Sequence, residues 1–592
     1  MNREDLGSWI EAPFTPEKTW GAIIIDELLR SGIDRFICAA GTCSNMLGAL
    51  ISRRGGAELS VHYDERGVGF RALGYGRATG RPAVVITTGG TAVANLAPAA
   101  AEADAGGVPL IVLTGDWTPG HRQASARQRM EGQDGVFRPW ARAVVDLERP
   151  SFEVNPATVA SSIDLAVRHA GGNRPGPVHI NFPFKASIPG IAAETTVNAA
   201  ALKKYLEPLS GRAEAAPFHS FGPGRLLPAT TAVEQFSELC RHARGVIFAC
   251  ELGACEEVDQ IEALGEHLGW PIFPQTGSGL RASPGAGPIV ARWHAALSTK
   301  LPWWREVEVS LVLGRRPLGA VPGSVATVVV ASSGERVLPL IPQTVVEASP
   351  GEFCRALIPA TPRRADREWL QQWQGLDQRL EAIVDREATD LQGDLSATVS
   401  AVAGLPENTA VFVGSSMPFY NYQALAPPSA SHRAASANRG LNGIDGTIAS
   451  AIGYSEGLRM PTVCVLGDLA FLYDVSSLPM AKESGNPIVF VVLNNNGFGA
   501  VQAGVEKEDS EIPREFLLKH GMSFRGIVEG FGLQYHTTND AGDLCAVRDK
   551  WLSTGTSGVI EIETDVRASA AERRKILSIA KGRRARGSWT SR

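Results

Sequence analysis

A chain of 592 residues is too long for one hydrophobic core, and at roughly 150–200 residues per domain it predicts three or four domains. Hydrophobic residues make up 44% of the chain and charged residues 20%, as in an ordinary globular protein. A formal net charge of −5 gives no reason to expect nucleic acid as a partner, and no apolar run approaches the ~18 residues that a membrane span requires.

The eight cysteines are scattered and contain no C-x-x-C pair, which argues against a metal cluster and against a disulfide framework. The N-terminal segment is acidic and polar, and it lacks the apolar stretch of a secretory signal. We therefore expect a cytoplasmic protein that interacts with neither nucleic acid nor a membrane.

Short runs rich in β-branched residues recur along the chain, and each ends at Gly, Asp, Asn or Cys. These runs cover residues 84–90, 110–116, 245–250, 309–314, 410–414, 463–468 and 488–496. They are apolar on both faces, as is expected of parallel strands covered by helices. Helical patterns lie between them, for example at Trp20–Ser31 and Thr91–Ala103. The sequence therefore predicts an α/β protein with doubly wound sheets.

Two stretches rich in Pro, Gly and small polar residues, Lys204–Pro228 and Ile358–Asp366, are predicted linkers. They divide the chain into predicted domains at residues 15–200, 225–360 and 375–570. The remaining residues, 571–592, contain a run of Arg and Lys that we interpret as a solvated basic tail.

Two of the apolar runs end in turns of small polar residues. One ends in Gly467-Asp468, and the other ends in the asparagines 494–496 followed by Gly497. An isolated Gly-Asp pair is usually an Asx-turn that closes a buried strand. Here Asp468 and Asn495 are 495 − 468 = 27 residues apart, which leaves room for one helix between neighbouring parallel strands. The two turns together predict a site for a diphosphate and one hard cation.

This spacing resembles the thiamin-diphosphate motif of the 2-oxoacid decarboxylase and carboligase superfamily. The resemblance implies thiamin diphosphate and Mg²⁺ as cofactors, with the metal held by Asp468, the Asn495 side chain and the Gly497 carbonyl. Gly467 and Leu469 would line the diphosphate, although Leu469 stands where the motif usually has Gly. The resemblance also implies three doubly wound domains: pyrimidine-binding, central and diphosphate-binding. Their sites would lie between the subunits of a homodimer or a dimer of dimers.

Glu65 follows an apolar run and begins a helical pattern. It could be a first-turn residue that interacts with the helix dipole. The segment His62–Gly67, however, resembles the catalytic-glutamate motif H-x-D-E-R-G of one branch of the superfamily. That branch is the 2-succinyl-5-enolpyruvyl-6-hydroxy-3-cyclohexene-1-carboxylate (SEPHCHC) synthase family of menaquinone biosynthesis, the MenD family. The resemblance implies that Glu65 is the catalytic residue.

The likeness to this family extends over nearly the whole chain. Further matching segments are Gly89–Asn95, Gly176–Phe184, Val413–Pro418 and Ala437–Gly446. The resemblance implies cofactor contacts for Thr91, Asn95, Ser416, Met417 and Ile444. Ile444 would lie between the two rings of the cofactor and enforce its bent conformation. From the sequence alone, Ile444 could equally be one more buried aliphatic residue.

The family decarboxylates 2-oxoglutarate and adds the remaining succinyl group to isochorismate, so its pocket carries several arginines for carboxylates. In this chain Cys43, Trp117 and Tyr420 occupy three of the four arginine positions, and only Arg439 remains. A buried carboxylate without its ion pair is unfavourable by several kcal/mol. We therefore predict a pocket that rejects both family substrates and accepts a less charged, bulkier or aromatic partner.

Three further residues complete the predicted substrate pocket. Gln128 matches a family glutamine that contacts the acceptor, while Ala500 and Val501 replace a bulkier pair after the cofactor loop. The smaller side chains would enlarge that wall of the pocket.

Four functions remain open on the sequence. The first is a decarboxylating carboligase that joins a 2-oxoacid donor to a second small molecule. The others are a simple 2-oxoacid decarboxylase, a genuine SEPHCHC synthase with a rearranged pocket, and a non-catalytic paralogue. Retention of Glu65, Asp468 and Asn495 together argues against the last. The absence of adjacent histidines, common in the first domain of simple decarboxylases, favours ligation.

Overall fold

The computed structural model describes most of the chain. The described residues are 6–117, 130–184, 195–212, 216–222, 224–253, 258–281, 287–298, 302–315, 326–331, 343–387, 391–427, 434–499 and 513–582. Gln128, Ala500 and Val501, predicted to contact substrate, lie outside these residues. Within the described ranges, no helix is both long enough and apolar enough to cross a membrane.

The chain forms two compact units. The first comprises Met1–Gly224, Arg439–Leu441 and Ile452–Gly457, and the second comprises Arg225–Asn438, Asn442–Ala451 and Leu458–Arg592. The described residues of these units form three parallel sheets with helices, which confirms the predicted α/β class. The domain bounds drawn from the linkers stay predictions.

The first unit contains a parallel sheet of six strands in the order β2-β1-β3-β4-β6-β5. Its strands are β1 (Arg35–Ala39), β2 (Glu58–His62), β3 (Val84–Thr87), β4 (Leu110–Asp116), β5 (Ala143–Asp146) and β6 (Pro177–Pro183). The four inner strands are buried throughout, whereas the edge strands β2 and β5 are only partly buried. Helices therefore cover both faces of the sheet, as the continuous apolar runs predict.

The helices of the first unit alternate with its strands. They are Pro16–Arg30, Thr42–Arg54, Glu65–Thr79, Thr91–Ala94, Ala97–Gly106, Pro156–Gly171 and Ala199–Leu206. The prediction of one helix over Thr91–Ala103 is wrong, because the helix is broken between Ala94 and Ala97. Pro98 lies in the first turn of the second piece, where its missing N–H and fixed φ favour a new helix start.

The second unit contains two parallel sheets. The five-stranded sheet has the order β11-β10-β9-β7-β8, and the six-stranded sheet has the order β13-β12-β14-β15-β17-β16. The strands are β7 (Gly245–Ala249), β8 (Ile272–Pro274), β9 (Val309–Leu313), β10 (Ala326–Ala331), β11 (Thr344–Glu347), β12 (Ala410–Val413), β13 (Ala435–Ser436), β14 (Thr462–Gly467), β15 (Ile488–Asn494), β16 (Gln534–Thr537) and β17 (Gly558–Glu563).

Twelve of the described helices lie wholly or partly in the second unit, and one of them, Thr447–Leu458, contributes Ile452–Gly457 to the first unit. They are Thr230–Cys240, Val258–Leu268, Trp293–Ser298, Pro350–Ala360, Glu368–Glu387, Asp394–Val402, Met417–Leu425, Thr447–Leu458, Asp468–Tyr473, Arg525–Gly530, Ala541–Ser553 and Val566–Gly582. The last helix corrects the interpretation of residues 571–592 as a solvated tail. Ile576 is fully buried in the core, and Arg573 donates a hydrogen bond to Asn421, so the tail interpretation fails for the start of this segment.

The two six-stranded sheets share one topology. Counted within each sheet, the strands follow the order 2-1-3-4-6-5, so the second and third strands lie on opposite sides of the first. Such a switch point opens a crevice at the carboxyl ends of strands one and three, where ligands bind in open α/β sheets. In the first unit Cys43 and Thr91 follow these strands, and in the second unit Ser416 and Asp468 do.

Candidate cofactor and active site

Asp468 lies at the carboxyl end of β14, and its side chain joins the two predicted strand ends. The residue is 2% exposed and begins the short helix Asp468–Tyr473. Its Oδ1 accepts a hydrogen bond from the Leu469 N–H at 2.7 Å, and its Oδ2 accepts one from the Gly497 N–H at 2.8 Å. Strands β14 and β15 are parallel neighbours, as the spacing predicts.

The three asparagines after β15 have different partners. Asn494 donates to Glu561 Oε1 at 2.6 Å, and Asn496 Oδ1 accepts from the His520 and Gly521 N–H groups at 3.2 and 2.8 Å. Asn495 Oδ1, in contrast, is buried and has no hydrogen-bond partner among the described residues. Because a buried polar atom without a partner is unfavourable by ~1–3 kcal/mol, this oxygen is suited to receive a ligand.

Gly497 is required by the backbone at this turn. Its φ is +131°, and a Cβ atom there would lie 2.3 Å from the Leu517 carbonyl oxygen. The Phe498 N–H donates to the same carbonyl at 2.6 Å. A residue with a side chain would push the loop away from the segment that carries Leu517.

Asp394 is a buried carboxyl group that is hydrogen-bonded to the Asn495 side chain. Burial raises its pKa, while hydrogen bonds from Thr564 and Asn495 lower it. The Thr564 hydroxyl donates to Asp394 Oδ1 at 2.5 Å. Since the Asn495 amide offers its N–H to Asp394, its oxygen is the atom left for another ligand.

His520 contacts the predicted metal ligand Asp468, and sequence reasoning missed it. Its Nε2 lies 3.1 Å from Asp468 Oδ2, and its Nδ1 accepts the Met522 N–H at 3.1 Å. With Nδ1 acting as acceptor, Nε2 carries the proton and donates to the carboxylate. His520 lies 52 residues after Asp468, outside every motif, so no local signal could have identified it.

The arrangement of these atoms fits a divalent cation. Asp468 supplies carboxylate oxygens, Asn495 a buried amide oxygen with no other partner, and Gly497 a backbone carbonyl in the same loop. The described residues contain no cluster of three or more His, Cys, Asp or Glu side chains that could hold a metal. Mg²⁺ is typically bound by one or two protein carboxylates together with phosphate oxygens, so a diphosphate would complete this site.

Glu65 begins the helix Glu65–Thr79 in the first unit, but it does not cap it. Asp64 is the N-cap and accepts from the Arg66 and Gly67 N–H groups at 3.0 and 3.4 Å. Glu65 Oε2 instead accepts from Asn95 Nδ2 at 3.2 Å. The helix start is thus satisfied by Asp64, which leaves the partly exposed Glu65 carboxylate available for chemistry.

Thr91 and Asn95 lie on the turn that follows β3. The helix that begins at Thr91 ends at Ala94, and this break puts Asn95 in reach of Glu65. The buried side chain of Gln133 stabilises this turn by hydrogen bonds, although the sequence analysis does not identify this residue. Gln133 Oε1 accepts from the Gly90 N–H at 3.1 Å, and its Nε2 donates to the Gly115 carbonyl at 2.9 Å.

Cys43 follows β1 and Trp117 follows β4 in the first unit, and β3 lies between these two strands in the sheet. A Cβ atom on Gly115 would lie 2.4 Å from the Cys43 Cβ, so Cys43 packs directly on the end of β4. Burial raises the pKa of the Cys43 thiol, and the nearby Asp116 carboxylate raises it further. Asp116 is 2% exposed and accepts from the Trp117 N–H at 2.6 Å. This corner therefore presents a neutral thiol beside a buried carboxylate.

Ser416, Met417 and Tyr420 lie at the start of the helix Met417–Leu425 in the second unit. Ser416 has a φ of +71°, an uncommon value for a residue with a side chain. The Tyr420 ring is 39% exposed and stacks on His294 at 6.4 Å between centroids. Burial lowers the pKa of His294 to about 4, with further lowering by Arg281 and Arg573, so the imidazole is neutral at pH 7.

Ile444 and Arg439 lie on the loop after β13. Ile444 is only partly buried and does not belong to the hydrophobic cores formed by the described residues. A partly exposed aliphatic residue fits a contact with a ligand better than it fits a core position. Arg439 is also partly buried, and it belongs to the first compact unit.

The fold and these residues define a thiamin-diphosphate-binding protein. Two family profiles match the chain: "Thiamine pyrophosphate enzyme, N-terminal TPP binding domain" over residues 18–134, and "Thiamine pyrophosphate enzyme, C-terminal TPP binding domain" over residues 416–562. A solved structure of a candidate thiamin diphosphate-dependent enzyme from Mycobacterium smegmatis superposes with a TM-score of 0.68 at 18% identity, covering 92% of this chain and 99% of that one. This likeness supports the fold.

Curated relatives are similar over almost the full length. A SEPHCHC synthase from Rubrobacter xylanophilus is 36% identical over 95% of this chain and 98% of its own. The enzyme of the same name from Salinibacter ruber is 30% identical over 94% of this chain and 96% of its own. The chain belongs to the SEPHCHC synthase family of thiamin-diphosphate-dependent enzymes, and its cofactors are thiamin diphosphate and a divalent metal ion.

Proposed function

We propose that this enzyme is a decarboxylating carboligase whose substrate pair differs from 2-oxoglutarate and isochorismate. Arg439 binds the carboxylate of a 2-oxoacid, which loses CO₂, and the remaining acyl group is transferred to a second small molecule. Thiamin diphosphate, when bound, supplies the group that stabilises negative charge on the acyl carbon. The protein supplies binding, orientation and proton transfer.

The roles of the cofactor residues follow from their contacts. Asp468, Asn495 and Gly497 hold Mg²⁺ and thereby the diphosphate. Glu65 holds a proton at the ring nitrogen of the aminopyrimidine. Asn95, which donates to Glu65 Oε2, orients that carboxyl group. Thr91, Ser416, Met417 and Ile444 contact the rest of the cofactor.

Three positions that carry arginine in the family carry no positive charge in this chain, and this supports a changed substrate pair. Cys43 is a partly buried thiol next to the Asp116 carboxylate, which repels an anion. Tyr420 stacks on an imidazole that is neutral at pH 7. A second carboxylate on either substrate would find no guanidinium at these positions, whereas an aromatic group could stack on Tyr420 or Trp117.

The names of the curated relatives favour a second candidate function. At 36% identity over 95% of the chain, this protein could be a SEPHCHC synthase that binds its carboxylates through other groups. The retained Arg439 is compatible with both candidates. A simple decarboxylase would use the same donor site and release the acyl group as an aldehyde.

A substrate screen distinguishes these functions. The purified protein with thiamin diphosphate and Mg²⁺ is offered pyruvate, 2-oxoglutarate and phenylpyruvate, each alone and with isochorismate or an aromatic aldehyde. CO₂ release and product mass are recorded. A condensed product from an acid other than 2-oxoglutarate supports the proposal, and free aldehyde from a single acid supports the decarboxylase. Efficient turnover of 2-oxoglutarate with isochorismate would refute the changed substrate pair.

The assembly also belongs to this proposal. We propose a homodimer or a dimer of dimers with active sites between subunits, as the family resemblance implies. Light scattering after size-exclusion chromatography gives the mass of the assembly, and a monomer that is active at nanomolar concentration would contradict it. The cytoplasmic location expected from the sequence stays a prediction.

A further inference from the structure

Glu102 is a buried carboxylate that contacts the loop containing Arg439. It is 4% exposed and lies on the alanine-rich helix Ala97–Gly106. Its Oε1 accepts from the Gly440 N–H at 2.7 Å, and its Oε2 accepts from the Leu441 N–H at 2.6 Å. All these residues belong to the first compact unit. One carboxylate thus binds the two backbone N–H groups that directly follow Arg439.

The contact between the Glu102 carboxylate and the backbone of Gly440 and Leu441 is strong and closely packed. Hydrogen bonds from backbone N–H groups to an ionised carboxylate are about twice as strong as neutral ones, and the Arg77 guanidinium at 3.2 Å compensates the buried charge. A Cβ atom on Gly440 would lie 2.7 Å from both the Glu102 carbonyl oxygen and its carboxylate. The loop can approach this helix so closely only because residue 440 is Gly.

The chain is also fixed on the other side of Arg439. The Asn438 carbonyl accepts from the Ser415 hydroxyl at 3.1 Å, and Asn438 Nδ2 donates to Ser450 Oγ at 2.9 Å. Arg439 therefore lies between two residues, Asn438 and Gly440, whose backbone groups are hydrogen-bonded to side chains.

We propose that Glu102 is a positioning residue for Arg439 and so sets the affinity of the enzyme for the 2-oxoacid carboxylate. This inference rests on the proposed function, in which Arg439 binds that carboxylate. Glu102 itself does not touch the substrate. It fixes the loop, so that the guanidinium is in place before the acid binds and no ordering of the loop opposes binding.

Binding is measured in a Glu65→Gln background, where turnover is prevented. Titration calorimetry gives the Kd of pyruvate, 2-oxoglutarate and phenylpyruvate in the presence of thiamin diphosphate and Mg²⁺, and the tightest acid serves as probe. Glu102→Gln should raise its Kd by about tenfold or more, because a Gln side chain has one acceptor oxygen and sets its NH₂ against the second N–H. Affinity for thiamin diphosphate should stay within about twofold.

Asp104→Asn is the matched control. Asp104 lies on the same helix and pairs with Arg142, away from the Arg439 loop, so its loss should leave the Kd unchanged. Arg439→Lys should raise the Kd, and the Glu102→Gln change should add little in that background, because the two residues act as one unit.

The outcomes separate the two proposals. If none of the three acids binds, or if Arg439→Lys leaves the Kd unchanged, the proposed function is wrong at its donor site. If Arg439→Lys raises the Kd while Glu102→Gln does not, or if the Glu102→Gln effect is undiminished in the Arg439→Lys background, only the positioning role of Glu102 is wrong.

Discussion

The Asp468 carboxylate accepts a hydrogen bond from the Gly497 N–H at 2.8 Å, so protein atoms alone join the ends of β14 and β15. The same carboxylate also receives the His520 ring N–H at 3.1 Å. These two donors fix the orientation of the buried Asp468 Oδ2. The carboxylate is therefore already oriented before the cation binds. Such preorganisation lowers the entropy lost on binding.

The first prediction contrasts two neighbouring asparagines. Asn495→Ala should remove most of the rise in melting temperature that thiamin diphosphate and Mg²⁺ produce, because it deletes the buried oxygen that has no protein partner. Asn494→Ala should instead lower the melting temperature of the metal-free protein, because the buried Glu561 carboxylate loses its 2.6 Å donor. Differential scanning fluorimetry with and without the ligands measures both effects. Equal ligand-induced shifts in the two variants would contradict the assignment of Asn495.

The second prediction concerns His520. His520→Ala should weaken Mg²⁺-dependent binding of thiamin diphosphate by about tenfold, because partners of metal ligands typically account for 10–100-fold in affinity. His520→Gln should restore part of this affinity, since its amide can still donate to Asp468. Cofactor binding is followed by tryptophan fluorescence during Mg²⁺ titration. Met522→Ala is the control, since its side chain is 52% exposed. Unchanged Mg²⁺ dependence in His520→Ala would show that the backbone N–H groups of Leu469 and Gly497 orient the carboxylate without His520.

The third prediction tests the catalytic glutamate. Glu65→Gln should abolish exchange of the cofactor C2 proton with solvent deuterium while leaving cofactor affinity largely intact, because an amide cannot hold the proton that the carboxyl group holds. NMR after acid quench measures the exchange. Glu58→Gln, with a side chain 63% exposed on β2, should exchange as the parent does. Normal exchange in Glu65→Gln would mean that another group performs this step.

The parts of the site that the sequence predicts are those formed by consecutive residues. Gly467-Asp468 and the asparagines 494–496 follow long apolar runs, and parallel strands bring their carboxyl ends to one edge of the sheet. The strand positions and the α/β class are predictable for the same reason, since two-sided burial leaves a continuous apolar signature.

Contacts between distant segments leave no such signature. His520 is 52 residues from Asp468, and Glu102 is 338 residues from Gly440. Both contacts arise from packing between separate elements, and a lone His or a Glu in an alanine-rich helix has many possible roles in a sequence. The residue pattern of Thr91–Ala103 does not predict the helix break at Asn95, because its alanines favour helix and this local preference outweighs the single Pro98.

The fourth prediction concerns pH and a buried acid pair in the first unit. Burial raises the pKa of Asp164 to about 7, and the neighbouring Glu27 carboxylate contributes; hydrogen bonds from the His219 N–H and the Ser31 hydroxyl oppose the shift. In the unfolded chain the same group titrates near 3.9. Between these values the folded state binds more protons than the unfolded state, so stability falls as pH rises through this window and the loss is complete above about 7.

Asp164→Asn should weaken this dependence, because its amide stays neutral and can donate to Glu27 as the protonated acid does. Melting temperatures from pH 4.5 to 8 measure the effect, and the decline between pH 5 and 7 should be smaller in the variant. Asp34→Asn, with a side chain 51% exposed, should keep the parental decline. A parental slope in Asp164→Asn would show that another group causes the pH dependence.

The fifth prediction restores a family arginine at the substrate pocket. Tyr420→Arg should lower the KM for 2-oxoglutarate by about tenfold, because a guanidinium would then face the second carboxylate beside the neutral His294. The ring it replaces is 39% exposed, so the longer side chain can be accommodated. The KM for pyruvate, which lacks the second carboxylate, should change little. Leu239→Arg adds the same charge at a surface position, 45% exposed, on the helix Thr230–Cys240, and should alter neither KM. If both acids respond equally to Tyr420→Arg, the charge acts at long range and Tyr420 does not select between donors.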